Sequence, residues 1–295
     1  MPFLKDKKLN RWIIGARIIT LPAAIVPVAI GSSLAWRHGN ERIELTVACL
    51  MVSLLLQIGV NYANDYSDGI RGTDADRVGP QRLTASGLAS ARAVKTAAML
   101  CFAMAAGIGS VVSILYAPIL LLIGVSAIAA AWFYTGGSKP YGYMGLGELS
   151  VFIFFGLAAV LGTIYLQAKT LDGMDVLAAC SAGLLSCAML MINNIRDRER
   201  DKRAGKKTLA VRIGDMPARI LFVLFLSLPV IMILLGVHWL NSAWLIVILV
   251  PFIVHAIRPV LKGGQGKDLI RVLQQTGRIQ ILFAVIFISI VLLSA

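Results

Sequence analysis

The sequence predicts an all-α, polytopic membrane protein with about nine transmembrane helices in one bundle around a central cavity. Three observations carry this. Hydrophobic residues make up 58% of the 295-residue chain, and the mean hydropathy is +0.81. Charged residues are 15%, where a soluble domain carries roughly a quarter. Apolar runs of about 20 residues recur, the length needed to cross a ~30 Å hydrocarbon core. Inside hydrocarbon the backbone must satisfy its own hydrogen bonds, so such runs become helices. The whole chain, 1–295, reads as a single membrane-embedded domain.

The first predicted span covers 13–34. A short basic stretch precedes it, with no small-residue cleavage site, and reads as a retained cytoplasmic end, not a signal peptide. The second span, 44–62, runs into an Asn/Asp cluster. The third and fourth, 93–114 and 117–134, are joined by a short connection at 116–118. The fifth, 148–168, opens at Glu148, which is either a helix N-terminal acid or a cavity residue. The sixth, 174–193, runs into a second Asn/Asp cluster. The seventh and eighth, 218–236 and 242–258, flank a short connection at 238–241, and the ninth is 276–294. Pro118 and Pro251 fall near or inside spans, where neighbouring helices tolerate them. Of the four cysteines, Cys101, Cys180 and Cys187 sit in apolar runs without a CxxC pattern. They read as packing residues, not as a disulfide framework or zinc site.

A net charge of +13 would suggest nucleic acid in a soluble protein. Here the basic residues are confined to the connections between apolar runs, so no nucleic-acid partner is expected. Of the 28 Lys and Arg, only Arg37, Arg42 and Lys169 fall on one side of the predicted topology. That asymmetry makes the other side cytoplasmic and predicts a multi-pass protein of the plasma membrane with a cytoplasmic N-terminus. The long polar loops share the cytoplasmic side, so function is expected there.

Two clusters carry chemistry. The first is Asn-Tyr-Ala-Asn-Asp-Tyr-Ser-Asp at 61–68; if the helix continues through it, Asn64 and Asp68 share a face at i,i+4. Asp74 and Asp76 follow in the loop. The second is Asn-Asn-Ile-Arg-Asp-Arg-Glu-Arg-Asp at 193–201, where Asn193, Asp197 and Asp201 line one face. Carboxylates at a membrane boundary are costly unless paired or bound to a cation. Oxygen-only clusters suit a hard cation such as Mg²⁺, which takes one or two carboxylates and completes its shell with phosphate oxygens and water. The alternative is that the acids pair with Arg71, Arg77, Arg196 and Arg200. Among the surrounding basic residues are Arg82, Lys202, Lys206 and Lys207. Lys139 stands alone in the Gly-rich stretch Tyr-Thr-Gly-Gly-Ser-Lys-Pro-Tyr at 134–141, where the backbone can approach a ligand closely.

The stretch Gly-Pro-Gln-Arg-Leu-Thr-Ala-Ser-Gly at 79–87 reads either as a lid excluding water or as a plain connecting loop. Aromatics near the cytoplasmic ends, Tyr62, Tyr66, Trp132, Tyr134, Tyr141, Tyr143, Phe154 and Phe155 among them, form an interfacial belt or face a cavity and stabilise a cation. His238 and His255 are isolated. The sequence shows no Ser-His-Asp triad, Walker loop or dinucleotide fingerprint.

The motifs Asn64-Asp65-x-x-Asp68 and Asp197-x-x-x-Asp201 resemble the paired Asp-rich motifs of the UbiA superfamily of intramembrane prenyltransferases. The stretches 61–69, 79–87 and 136–143 are similar to those of the 1,4-dihydroxy-2-naphthoate prenyltransferases of menaquinone biosynthesis. The resemblance implies metal ligation by Asn64, Asp68, Asp197 and Asp201, with Mg²⁺ as the cofactor. It implies Asp65, Asp68, Asp197 and Asp201 as catalytic residues; from its Gly-rich loop Lys139 is expected as a further catalytic residue and phosphate contact, and Arg71, Arg77 and Arg196 are expected to contact diphosphate by their charge beside the acids. Its partners would be a polyprenyl diphosphate, 1,4-dihydroxy-2-naphthoate and membrane lipid. The broader family often has a further Asp four residues after Asp68; here that position is Gly72. The implied reaction is prenyl transfer with loss of CO₂, giving demethylmenaquinone. Other readings are a different UbiA-type aromatic prenyltransferase, a CDP-alcohol phosphotransferase, suggested by Asp65-x-x-Asp68-Gly69, and a cation-coupled secondary transporter, whose acids would sit near the bilayer midplane.

Overall fold

The computed structural model describes residues 7–72, 81–236 and 238–294. Among them every regular element is helical. In order they are α1 (Lys7–Ala16), α2 (Pro22–Arg37), α3 (Ile43–Ile70), α4 (Ala91–Tyr116), α5 (Leu120–Phe133), α6 (Gly147–Val151), α7 (Ala159–Ala168), α8 (Gly173–Arg203), α9 (Leu209–Ile213), α10 (Asp215–Leu235), α11 (Val250–Leu261) and α12 (Lys267–Leu293). A π-helical segment, Phe152–Ala158, joins α6 to α7 without a break. A 3₁₀ segment, Ala243–Leu249, leads into α11.

Among the described residues, seven helices are long and apolar enough to cross a membrane: α3, α4, the α6–α7 unit, α8, α10, the 3₁₀–α11 unit and α12. The chain is therefore a multi-pass membrane protein. Outward-facing Leu100, Met104, Ile114, Leu122, Val125 and Val285 are exposed, as lipid-facing side chains must be. The first and fourth predicted spans take other forms. The first is the bent pair α1–α2, kinked by 52°. The kink follows Arg17, whose backbone is left-handed at φ 52°, a costly conformation for a residue with a Cβ. The fourth is α5, whose 14 residues rise only about 21 Å at 1.5 Å per residue. It nonetheless runs from one end of the bundle to the other. Ala117 before it packs with Leu45 and Leu166 at one end, and Thr135 after it reaches Asn64 at the other.

The core is centred on α8, of which 72% is buried in its most apolar stretch, against 17% for α3 and 22% for α4. Small residues allow that burial. A Cβ at Gly156 of the π-helical segment would lie 2.6 Å from Gly183 Cα and 2.8 Å from Ala179 O, so α8 and this segment meet backbone to backbone, the small-residue packing that membrane helices favour. The start of α8 is closed by a capping box in which the Asp172 and Asp175 side chains accept from each other's N–H. All four cysteines, Cys49 included, are free.

Length positions the chemistry. At 28 and 31 residues, α3 and α8 measure about 42 and 46 Å, more than a ~30 Å hydrocarbon core can hold. Both start at the end where Arg37 pairs with Asp172 (2.7 Å) and Leu45 packs with Ala117 and Leu166. Both project their last turns at the opposite end, and those turns carry the two Asn/Asp clusters.

Candidate active site

Because α3 stays helical through Ile70 and α8 through Arg203, the i,i+4 stripes of both clusters survive. Asn64 and Asp68 from α3, and Asn193, Asp197 and Asp201 from α8, line one cavity of about 410 Å³. The link between the tips is Lys206, just past the end of α8, whose Nζ lies 2.9 Å from Asp68 Oδ1. Its own N–H donates to Asp201 O at 2.8 Å. Tyr143 donates its hydroxyl to the same Asp68 oxygen at 2.5 Å, and Lys206 stands 4.7 Å from the centre of the Tyr143 ring.

On α8, Arg196 grips both oxygens of Asp197 at 2.9 and 2.8 Å. Arg200 lies 3.2 Å from Asp197 and 3.5 Å from Asp201. The carboxylates thus sit in a field of Lys206, Arg196 and Arg200, with Arg17 and Arg82 also lining the cavity. Both expected pairings occur together: acids that share a hollow, and guanidinium groups that hold them. Asn64 accepts from the Thr135 hydroxyl at 2.7 Å, and Asn194 donates to Glu148 Oε1 at 2.8 Å, so Glu148 is a buried anchor behind the wall. The donor set facing the cavity is oxygen alone, the ligand chemistry of Mg²⁺. Asn64, Asp68, Asp197 and Asp201 offer oxygen donors of the kind that ion takes, with the carboxylates held by Lys206, Arg196 and Arg200.

Three expected site residues lie elsewhere. Asp65 is fully buried, and its two oxygens accept the backbone N–H groups of Leu83 (2.9 Å) and Thr84 (3.1 Å). It is one residue off the Asn64–Asp68 stripe, about 100° round the helix, and it pins the loop that brings Arg82 to the cavity. Arg71 donates to Thr135 O and, at 2.5 Å, to Gly137 O; it staples the Gly-rich loop to the end of α3. Lys139 is exposed and does not line the cavity, because the loop presents Thr135, Gly142 and Tyr143 inward instead. Gly142 makes that path possible: a Cβ there would lie 2.5 Å from Tyr134 O. Arg77, Asp74 and Asp76 lie outside the described residues, as does the start of the 79–87 stretch. From position 81 that stretch is a folded, pinned loop with Leu83 fully buried.

Sequence reasoning undervalued Lys206, Arg200, Arg82, Arg17 and Tyr143. Lys206 and Arg82 looked like members of a general basic surround. The strained backbone that marks Arg17 has no sequence signature in a non-glycine residue.

A second cavity, about 390 Å³ and mostly apolar, shares Arg17, Thr20, Asn64, Tyr134, Leu190 and Asn193 with the first. It continues between α3, α4, α5 and α7 to Cys49, Leu120 and Leu166 at the other end of the bundle. Near its mouth, Gln57 and Asn61 are turned onto Thr20 and Ala16 O, which leaves a largely apolar wall. The aromatics divide. Tyr134, Tyr141, Phe154 and Phe155 line this cavity, whereas Tyr66 stacks on Trp132 (6.4 Å) and Tyr62 meets Trp12 edge-on (5.6 Å).

The sequence profile of the UbiA prenyltransferase family matches residues 24–268. The chain is 50% identical over 277 residues to the 1,4-dihydroxy-2-naphthoate octaprenyltransferase of Mycobacterium tuberculosis, covering 93% of this chain and 94% of that one. It is 35% identical over 305 residues to the Escherichia coli protein of the same name, covering 99% of each. Among solved structures, a UbiA homolog from Archaeoglobus fulgidus bound to DMAPP and Mg²⁺ has the same fold, with a TM-score of 0.68 at 15% identity over 95% of this chain and 99% of that one. Two acid-tipped helices converging on one cavity, a tunnel between helices and these likenesses together place the chain in the UbiA prenyltransferase family.

Proposed function

We propose that the protein transfers a polyprenyl group from its diphosphate to 1,4-dihydroxy-2-naphthoate with loss of CO₂, giving demethylmenaquinone. The observation that carries this is the adjacency of the two cavities: a charged hollow fit for a diphosphate shares six wall residues with an apolar passage fit for its tail. The relatives named as 1,4-dihydroxy-2-naphthoate octaprenyltransferases support the acceptor and the reaction.

Asn64, Asp68, Asp197 and Asp201 would hold Mg²⁺, which when bound supplies positive charge and Lewis acidity toward the diphosphate. Lys206, Arg200 and Arg82 add fixed positive charge around the same hollow, where a departing diphosphate gathers negative charge. Arg196 holds Asp197 in place. The bond from the allylic carbon to the diphosphate oxygen breaks as a bond to the carboxyl-bearing ring carbon forms. The ring hydroxyl loses its proton in that step and regains one when CO₂ leaves and aromaticity returns. Tyr134, which lines both cavities, and Tyr141, edge-on to it at 5.6 Å on the apolar side, would stabilise an allylic cation. Both donor tail and product are lipids, which explains a site at the membrane boundary.

In this reading the whole chain acts as one domain in the plasma membrane, with its N-terminus and site toward the cytoplasm; the Lys and Arg distribution supports that orientation. Acids on projecting helix tips, away from the midplane, distinguish it from a transporter. The test is incubation of purified protein with dihydroxynaphthoate, prenyl diphosphate and Mg²⁺, with product mass determined. Formation of the prenylated, decarboxylated quinol is expected; a CDP-linked lipid product, or none, would overturn the reading.

A further inference from the structure

Glycine within a transmembrane helix usually has a packing cause: a neighbour occupies the place of its Cβ. At Gly59 that neighbour is the Phe102 ring at 2.6 Å, and at Gly31 it is Val160 O at 2.8 Å. Gly109 of α4, Gly124 of α5 and Gly162 of α7 have no such cause. Within 4 Å, a Cβ at Gly109 would meet Val52 Cγ2 alone, at 3.8 Å; one at Gly162 would meet Leu120 Cδ2 alone, at 4.0 Å; one at Gly124 would meet nothing. All three line the apolar cavity. Gly124 is exposed, so its space opens to the surface; at the half-buried Gly109 and Gly162 the space belongs to the passage, not to a helix contact.

Their depth gives the space a meaning. Val52, opposite Gly109, precedes Asp68 on the unbroken α3 by about 24 Å at 1.5 Å per residue. Beyond the glycines, at the far end of the passage, Leu45, Ala117 and Leu166 are buried together, with Cys49 and Leu120 packed on them. A chain threaded from the Asp68 end along this passage therefore runs past Gly109 and Gly162.

We propose that Gly109 and Gly162 are specificity-determining residues for the donor, setting how long a polyprenyl tail the enzyme accepts. The proposal rests on the reading that the tail occupies the apolar cavity. An apolar wall gives attraction without direction, so it discriminates length only by volume. A leucine side chain in place of a glycine hydrogen takes up room that a distal isoprene unit needs, while the units nearer the diphosphate keep their contacts.

Gly107 supplies a matched control. It lies on the same helix, is exposed, has nothing within 4 Å of its Cβ position and does not line the cavity. Gly107→Leu and Gly109→Leu change helix propensity alike. Both variants, and Gly162→Leu, are assayed in detergent with Mg²⁺ and dihydroxynaphthoate, against geranyl diphosphate and octaprenyl diphosphate. For Gly109→Leu and Gly162→Leu, kcat/KM for the short donor is expected to stay within about twofold and that for the long donor to fall at least about tenfold, the discrimination steric pockets achieve. Gly107→Leu should alter neither. Equal losses on both donors, or loss on neither, would overturn the proposal. Wild-type protein inactive with both donors would overturn the functional reading, and this inference with it.

Discussion

Lys206 Nζ lies 2.9 Å from Asp68 Oδ1, so a lysine following α8 neutralises the acid at the tip of α3. The two motifs are thereby coupled directly. Lys206→Gln is expected to lower kcat/KM by about 10² or more, as loss of one charge-stabilising group does. Because the partners act on each other, the double variant with Asp68→Asn should lose less than the two single losses combined. Strict additivity in that cycle would show that the contact has no role in turnover.

Asp68→Ala and Asp197→Ala are each expected to reduce transfer by at least about 10³ while leaving the protein in the membrane fraction, since both side chains face the hollow and not the core. Product formation by mass spectrometry, beside immunoblots of washed membranes, checks both halves. Near-normal turnover in either variant would count against the site.

Asp65 has a different task, and its replacement should look different. The carboxylate accepts two backbone N–H bonds; charge-assisted bonds contribute about 1.5–3 kcal/mol each. Asp65→Ala should therefore lower thermal stability, expose 81–90 to protease and weaken donor binding through Arg82. A variant of unchanged melting temperature with abolished turnover would instead make Asp65 a direct participant.

Lys139→Ala is expected to change kcat/KM by less than about threefold, because an exposed charge screened by water and salt acts weakly. Arg82→Ala should reduce it by about tenfold or more, the guanidinium being buried at the cavity wall. Parallel titrations with prenyl diphosphate compare them; the reverse order would return the Gly-rich loop to the site.

At the opposite end of the bundle, Asp172 caps α8 and pairs with Arg37 at 2.7 Å. Asp172→Ala should cost about 1–2 kcal/mol of stability without slowing turnover per folded molecule. Burial pushes the Asp172 carboxyl up, but Arg37, the Asp175 N–H and His38 outweigh it and hold it below the ordinary value of 3.8. Its contribution is accordingly complete above that value and disappears as pH falls through the lower folded one. Thermal melts at neutral and strongly acidic pH measure the difference; an equal penalty at both would refute the ion-pair account.

The sequence alone determined the helical membrane class, the position of most spans and the two acid stripes. Each follows from a local rule: apolar run length against bilayer thickness, and a helical repeat that aligns Asn64 with Asp68 and Asp197 with Asp201. The resemblance of 61–69 and 136–143 to known prenyltransferases identified the chemistry. Tertiary structure alone decided which neighbours of those stripes face the hollow. Asp65 and Asp68 are three residues apart in one motif, yet one holds a loop and the other faces the cavity, because helix rotation and the partner brought by the fold separate them. Lys206 and Lys139 are both lysines in polar loops; only the fold sets the first against Asp68 and leaves the second in water. The bend at Arg17 and the open glycines of the passage are likewise invisible in sequence, since both arise from where distant helices stand. Local periodicity is written into the chain, whereas charge pairing and empty volume exist only between segments.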